Sequence, residues 1–162
     1  MIVRPEEEAD EPAIRALLKA AFPGPDEARL VDRLRADGSA ELSLVAVDGD
    51  TIVGHILFSP MTAPFRALGL APVAVLPGRQ GESIGSALIR DGLARATAAG
   101  WEGVFVLGEP EYYRRFGFDP AMAKEFSSPY AGPYLMALSL DGKALPVTSG
   151  PIDYAPAFAD LE

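Results

Sequence analysis

Ala71-Pro72-Val73-Ala74-Val75-Leu76-Pro77-Gly78-Arg79-Gln80-Gly81-Glu82-Ser83-Ile84-Gly85-Ser86 decides how the rest of the chain is read. It begins as an apolar strand, passes through a glycine-rich turn and opens a helix. The helix continues through Leu88, Ile89, Gly92, Leu93 and Ala96. Unpaired N–H groups of a helix's first turn converge there, and the aligned peptide dipoles add partial positive charge. Such a bend accommodates phosphate without any lysine or arginine.

Two phosphate motifs do not fit. No Gly-Lys-Ser/Thr follows the bend, so the triphosphatase pattern is absent. A dinucleotide fingerprint would open the first strand–helix–strand unit, which this stretch does not. Gly81-Glu82-Ser83-Ile84-Gly85 spells the nucleophile elbow of serine hydrolases. That reading requires a histidine after the serine, and the only histidine, His55, precedes it.

Gln80-Gly81-Glu82-Ser83-Ile84-Gly85 resembles the pyrophosphate loop, Gln/Arg-x-x-Gly-x-Gly/Ala, of the GCN5-related N-acetyltransferases (GNAT). Ser83 stands where that family usually has its first glycine. A positive φ at Ser83 would strain it; a helix N-cap would suit it.

The totals set bounds. The 162 residues carry 49% apolar and 23% charged positions, an ordinary globular composition that predicts one domain over 1–162. No apolar run matches a membrane span. The acidic start Met1-Ile2-Val3-Arg4-Pro5-Glu6-Glu7-Glu8 lacks a signal peptide's core, so a cytoplasmic protein is expected. With no cysteine, disulfides, thiolate metal sites and a cysteine nucleophile are excluded; with one histidine, no metal site is expected. A formal charge of −9 argues against nucleic acid and suits solubility or a cationic amine.

Along the chain, Ile2-Val3-Arg4 reads as a strand. Asp10 is placed to cap a helix from Glu11-Pro12, with Ile14, Leu17, Leu18 and Ala21 at helical spacing. Phe22-Pro23-Gly24-Pro25 breaks it, and a second helix runs from Pro25 or Asp26 to Asp37-Gly38. Leu42 to Val47 and Thr51 to Phe58 read as strands joined at Asp48-Gly49. The second is apolar nearly throughout and should be covered on both faces. His55 within it reads as a core histidine bonded to backbone rather than as a base. Arg66 to Val75 is the next strand, with a bulge or edge expected at Pro72. The long helix ends at Ala98-Ala99-Gly100, and Gly103 to Leu107 returns as a parallel strand. Leu135 to Leu140 follows, and Val147 with Ile152 to Tyr154 is expected to give the last pairing.

The second signature is Leu107-Gly108-Glu109-Pro110-Glu111-Tyr112-Tyr113-Arg114-Arg115-Phe116-Gly117-Phe118. Its Tyr-x-x-x-Gly-Phe ending is similar to the last helix and turn of the same acetyltransferases. With Gly54-His55-Ile56-Leu57-Phe58-Ser59-Pro60 and Ile152-Asp153-Tyr154-Ala155-Pro156-Ala157-Phe158, the wording resembles a YhbS-like subgroup. Gly108-Glu109-Pro110 replaces the family's more typical asparagine.

The resemblance implies an α/β GNAT fold: a mixed, mostly antiparallel, splayed sheet flanked by helices. It implies acetyl transfer from acetyl-coenzyme A to a primary amine by direct attack, through a tetrahedral intermediate. Val73, Ala74 and Val75 would bind the pantetheine arm through their backbone, with the Val75 N–H toward the thioester carbonyl. Arg79, Gln80, Gly81, Glu82, Ser83, Ile84, Gly85 and Ser86 would hold the diphosphate. The mobile corner between the first two helices would border the substrate pocket. Tyr113 would protonate the leaving thiolate, since a phenol of pKa about 10 stays protonated at neutral pH, and Tyr112 would pack. Glu109 is the first choice of base and Glu27 the second. The acceptor is a small molecule or a protein amine, and a homodimer is left open. The alternatives are a non-catalytic coenzyme A-binding module of the same fold and, more remotely, a serine hydrolase.

Overall fold

Alternation along the middle strands sends side chains into two cores, which is why helices cover both faces of one sheet. The structure, a computed structural model, describes residues 1–161; Glu162, the end of the expected domain, lies outside them. In order come β1 (Ile2–Pro5), α1 (Glu11–Ala21), α2 (Asp26–Ala36), β2 (Leu42–Asp48), β3 (Thr51–Pro60), β4 (Ala67–Val75) and α3 (Ile84–Ala98). Then follow β5 (Gly103–Leu107), α4 (Pro110–Tyr113), α5 (Pro120–Ala123), β6 (Phe126–Ser127), β7 (Leu135–Ser139) and β8 (Gly150–Pro151). The six-stranded sheet has the order β1-β2-β3-β4-β5-β7. Its one parallel pair is β4 with β5, so the sheet is mixed and mostly antiparallel, as expected.

Leu44, Ala46, Ile56 and Phe58 pack against Ile84, Leu88 and Ile89 of α3. Their neighbours Val45, Leu57 and Ala74 pack on the other face against Ile14, Leu17 and Leu18 of α1 and Leu30, Val31 and Leu34 of α2. Helix α3 lies close to the sheet because Gly92 has no side chain: a Cβ there would stand 2.4 Å from Phe58 Cε1.

The sheet splays where the sequence places Pro72. Ile56 pairs with Val73 and Phe58 with Leu70, so Leu57 alone opposes Ala71 and Pro72. Two residues against one is a bulge, and proline has no N–H to contribute to a ladder. β4 pairs with β5 only from Ala67–Gly103 to Gly69–Phe105. Beyond Gly69 the two strands part.

Three local expectations shift. The hairpin turn is Gly49-Asp50, one residue later than Asp48-Gly49, because Asp48 pairs with Thr51. Asp10 does not cap α1 in extended conformation. It ends a 3-10 turn, Glu8–Asp10, and its carboxylate binds Arg4 at 2.7 Å and the Glu7 N–H at 2.7 Å. The last pairing is different too. Gly150–Pro151 pairs in parallel with Phe126–Ser127, Asp153 bridges Thr62, and Val147 is exposed. Pro146, Pro151 and Pro156 break up this segment by removing ladder donors.

His55 is a fully buried core histidine, but its partner is a hydroxyl rather than backbone. Nε2 lies 2.8 Å from Ser43 Oγ. The Ser43 hydroxyl donates to Glu6, so the imidazole Nε2–H must donate to Ser43. Arg35 closes the group with two bonds to the Glu6 carboxylate, at 2.9 and 3.1 Å. Burial lowers the His55 pKa and keeps the ring neutral. At Glu6 burial pushes the carboxyl up, but His55, Arg35 and Ser43 outweigh it and bring it from 4.5 to about 2. The folded value lies below the unfolded one, so the stabilisation is complete above pH 4.5 and lost as pH falls toward 2. Solvent screens part of it, leaving about 2 kcal/mol. Urea denaturation at stepped pH should show that loss in the native chain and a flatter profile in Glu6→Gln. Equal slopes would contradict this assignment.

Candidate active site

The turn before α3 bends by left-handed residues. Gly78, Gly81 and Ser83 have φ of +90°, +86° and +64°. Ser83 occupies the N-cap position but makes no side-chain bond to the helix. Of the two readings of this serine, the strained one holds. Ser83→Gly should therefore raise the unfolding free energy by about 1 kcal/mol, read as a higher urea midpoint. An unchanged or lower midpoint would contradict the strain.

A cleft of about 240 Å³ opens over this turn. Gln80, Gly81, Ser83, Ile84, Gly85 and Ser86 line it, with Val75 at the strand end. Arg79 does not line it. Its guanidinium binds Glu82 at 2.8 Å and Asp48 at 3.0 Å, so two acids already hold the cation expected for a phosphate. Glu82 is exposed and turned to Arg79. The cation on the cleft is Arg115, stacked over the Tyr112 ring at 4.7 Å. Tyr112, expected to pack, also lines the cleft. Both escaped the sequence reading, although their i, i+3 spacing in a short helical segment was a usable signal.

The end of β4 connects this cleft to a larger one. The Leu76 N–H bonds to the Val53 carbonyl at 2.9 Å, which sets the phase of the β3–β4 ladder. By alternation, Ala74 exchanges its bonds with His55, its partner in register. The N–H and C=O groups of Val73 and Val75 then point away from β3, into the splay. Ala74 is thus committed to the sheet, whereas Val73 and Val75 offer backbone groups to an incoming chain. Val73 lines the larger cavity and Val75 the loop cleft.

That larger cavity measures about 350 Å³. Leu70, Ala71, Pro72 and Val73 form one wall and Leu107 and Tyr113 a second. Phe22, Glu27 and Leu30, from the corner between α1 and α2 and the start of α2, reach it. Tyr113 packs edge-on against Tyr112 and Phe118, at centroid distances of 5.0 and 5.9 Å. Gly108 makes this placement possible, since a Cβ there would meet Tyr113 Cε2 at 2.3 Å. Burial, with Tyr112 adding to it, pushes the Tyr113 phenol up to about 12. The two candidate bases differ in placement. Glu109 is exposed and does not line the cavity, whereas Glu27 is half-buried and does. Tyr130, Tyr154 and Phe158 complete the lining, from a region whose course no local pattern revealed.

His55 is sealed inside the sheet and bonded to Ser43, so it forms no pair with the exposed Ser83 of the hydrolase-like motif. Among the described residues no group of His, Asp and Glu could hold a metal ion, and no helix is long and apolar enough to cross a membrane.

Comparison with known proteins agrees with this geometry. The family model described as an acetyltransferase (GNAT) domain matches residues 2–121. The N-acetyltransferase YhbS of Escherichia coli strain K12, itself uncharacterized, is 38% identical over 125 residues, 75% of each chain. The crystal structure of Escherichia coli YhbS in complex with CoA superposes with a TM-score of 0.91 at 32% identity, covering 98% of this chain and 91% of that one. A GNAT family acetyltransferase from Brucella melitensis, in complex with acetyl-CoA, superposes at 0.82 with 39% identity, covering 97% of each chain. A splayed sheet, a glycine-spaced bend before the long helix and a family match over most of the chain agree: this chain belongs to the GNAT acetyltransferase family.

Proposed function

We propose that this chain works in the cytoplasm as one catalytic unit, transferring the acetyl group of acetyl-coenzyme A to a primary amine. The observation that carries the reading is the line from the loop cleft, along the free edge of β4, to the Tyr113 phenol. The residues present fit the cofactor. The bend at 80–86 supplies N–H groups for a diphosphate, and Arg115 adds charge at its rim. Gly85 leaves room for close approach, as a Cβ there would stand 3.1 Å from Tyr112 Oη. Val73 and Val75 supply donors and acceptors for the amides of the pantetheine arm. When bound, the thioester supplies the activated acyl group.

The chain's own groups then do the following. The Val75 N–H polarises the acyl carbonyl. Glu27 receives the proton of the incoming ammonium, which an amine of pKa near 10 would otherwise keep at neutral pH. With the thioester bound, Tyr113 would give its proton to the sulfur as the C–N bond forms and the C–S bond breaks. The nitrogen would lose its second proton to solvent, and the proton held by Glu27 would return through solvent to the phenolate, so both side chains are restored and one proton is released overall. No covalent enzyme intermediate is needed, in keeping with a chain that has no cysteine.

Thiol release from acetyl-coenzyme A, measured across a panel of primary amines, tests this reading. Acceptor-dependent release is the expected result. Calorimetric uptake of acetyl-coenzyme A with no release on any amine would overturn it in favour of a binding module.

A further inference from the structure

We propose that the acceptor is a primary amine with one positive charge, borne on an aromatic or similarly flat apolar frame. Glu27 holds its ammonium, and the aromatic side chains of the cavity hold the frame. This rests on the acetyl-transfer reading above and narrows it to a substrate class.

The side of the cavity away from β5 is aromatic. Phe22, Tyr130, Tyr154 and Phe158 line it. Tyr130 meets Tyr154 edge to face at 5.6 Å, and Tyr154 meets Phe158 at 5.2 Å. Rings in such offset arrangements extend readily to a further ring. The Tyr154 ring is seated against β4 where Gly69 makes room: a Cβ at Gly69 would stand 2.6 Å from it. The receiving surface is thus set by packing before any ligand arrives.

Charge narrows the class. Among the described residues, Glu27 is the single charged side chain on the lining, with no lysine, arginine or histidine beside it. One ammonium is matched. A polyamine or aminosugar would bring ammonium groups that find no partner, and an amino acid's carboxylate would meet no cation. The volume, about 350 Å³, lies at the small end of ligand pockets and suits a small molecule better than a peptide.

Tyr154 is 6% exposed and its hydroxyl lies buried within the protein, so the cavity meets the rest of the residue and not its oxygen. The frame that fits such a wall is therefore apolar, while the amine meets the carboxylate.

The test uses the full chain loaded with coenzyme A and reads binding by calorimetry, so that it does not depend on turnover. Thiol release is measured alongside with acetyl-coenzyme A. The probes are 2-phenylethylamine, tyramine, n-butylamine, spermidine and a lysine peptide. 2-Phenylethylamine and tyramine should each bind about tenfold or more tighter than n-butylamine. Glu27→Gln should weaken both aromatic amines about tenfold while coenzyme A affinity stays unchanged. Unchanged coenzyme A affinity in that variant separates a lost ammonium contact from misfolding. Aromatic binding without thiol release supports the pocket assignment and counts against catalysis. Turnover of spermidine or the peptide, without aromatic binding, overturns this inference and leaves acetyl transfer standing. No binding and no turnover on any amine overturns both.

Discussion

Tyr113→Phe should lower kcat by about 10²- to 10³-fold and leave the Kd for acetyl-coenzyme A within about twofold. The substitution removes one oxygen from a ring held by Tyr112, Phe116 and Phe118, so the packing survives. On the proposed mechanism, only the proton for the leaving sulfur is lost. An equal loss in kcat and in cofactor affinity would make Tyr113 a binding residue. The native pH profile carries a second check. Burial raises the phenol to about 12, so the proton-bearing form persists well past neutrality. Activity should show no alkaline fall from this group until about pH 11. A fall centred near pH 10, absent from Tyr113→Phe, would contradict the environment described for the ring.

Gly85→Val should weaken acetyl-coenzyme A binding about a hundredfold, about 2.7 kcal/mol, without unfolding the chain. A Cβ at Gly85 would lie 3.1 Å from Tyr112 Oη and 3.7 Å from Val75 Cγ2. The branched side chain would fill the space between strand end and tyrosine, over the amides of the bend. Within the first turn of α3, valine is no poorer a helix former than the glycine it replaces, so propensity does not unfold the variant. Calorimetry on the variant, with a urea midpoint near the native one, checks both halves of the expectation. Unchanged affinity would remove the bend from the binding site.

What could be read from the sequence was local. The bend at 78–86, the corner at 22–25, the bulge at Pro72 and the tyrosine segment are each written by glycine, proline or a short motif within a few residues. Their conformations need no information from elsewhere in the chain. The residues whose roles moved depend on distant partners. Arg79 was beside the loop in sequence, but Asp48 from the β2–β3 hairpin and Glu82 reached it first. Glu109 ranked ahead of Glu27 on its place at the end of a buried strand. The path of α2 puts Glu27 on the cavity, and the short turn after β5 leaves Glu109 in solvent. His55 found Ser43 through the β2–β3 register, which no spacing in one strand reveals. Tyr130, Tyr154 and Phe158 reach the cavity through proline-interrupted segments with no periodicity to read.

The central claim is that backbone amides at a glycine-spaced bend, rather than charged side chains, grip the diphosphate. Hydrogen exchange of the amides at positions 80–86 tests it most directly, with coenzyme A compared against acetyl-pantetheine, which lacks the diphosphate. Coenzyme A should slow exchange there while acetyl-pantetheine protects only the end of β4. Unaltered exchange at 80–86 under saturating coenzyme A would contradict the claim.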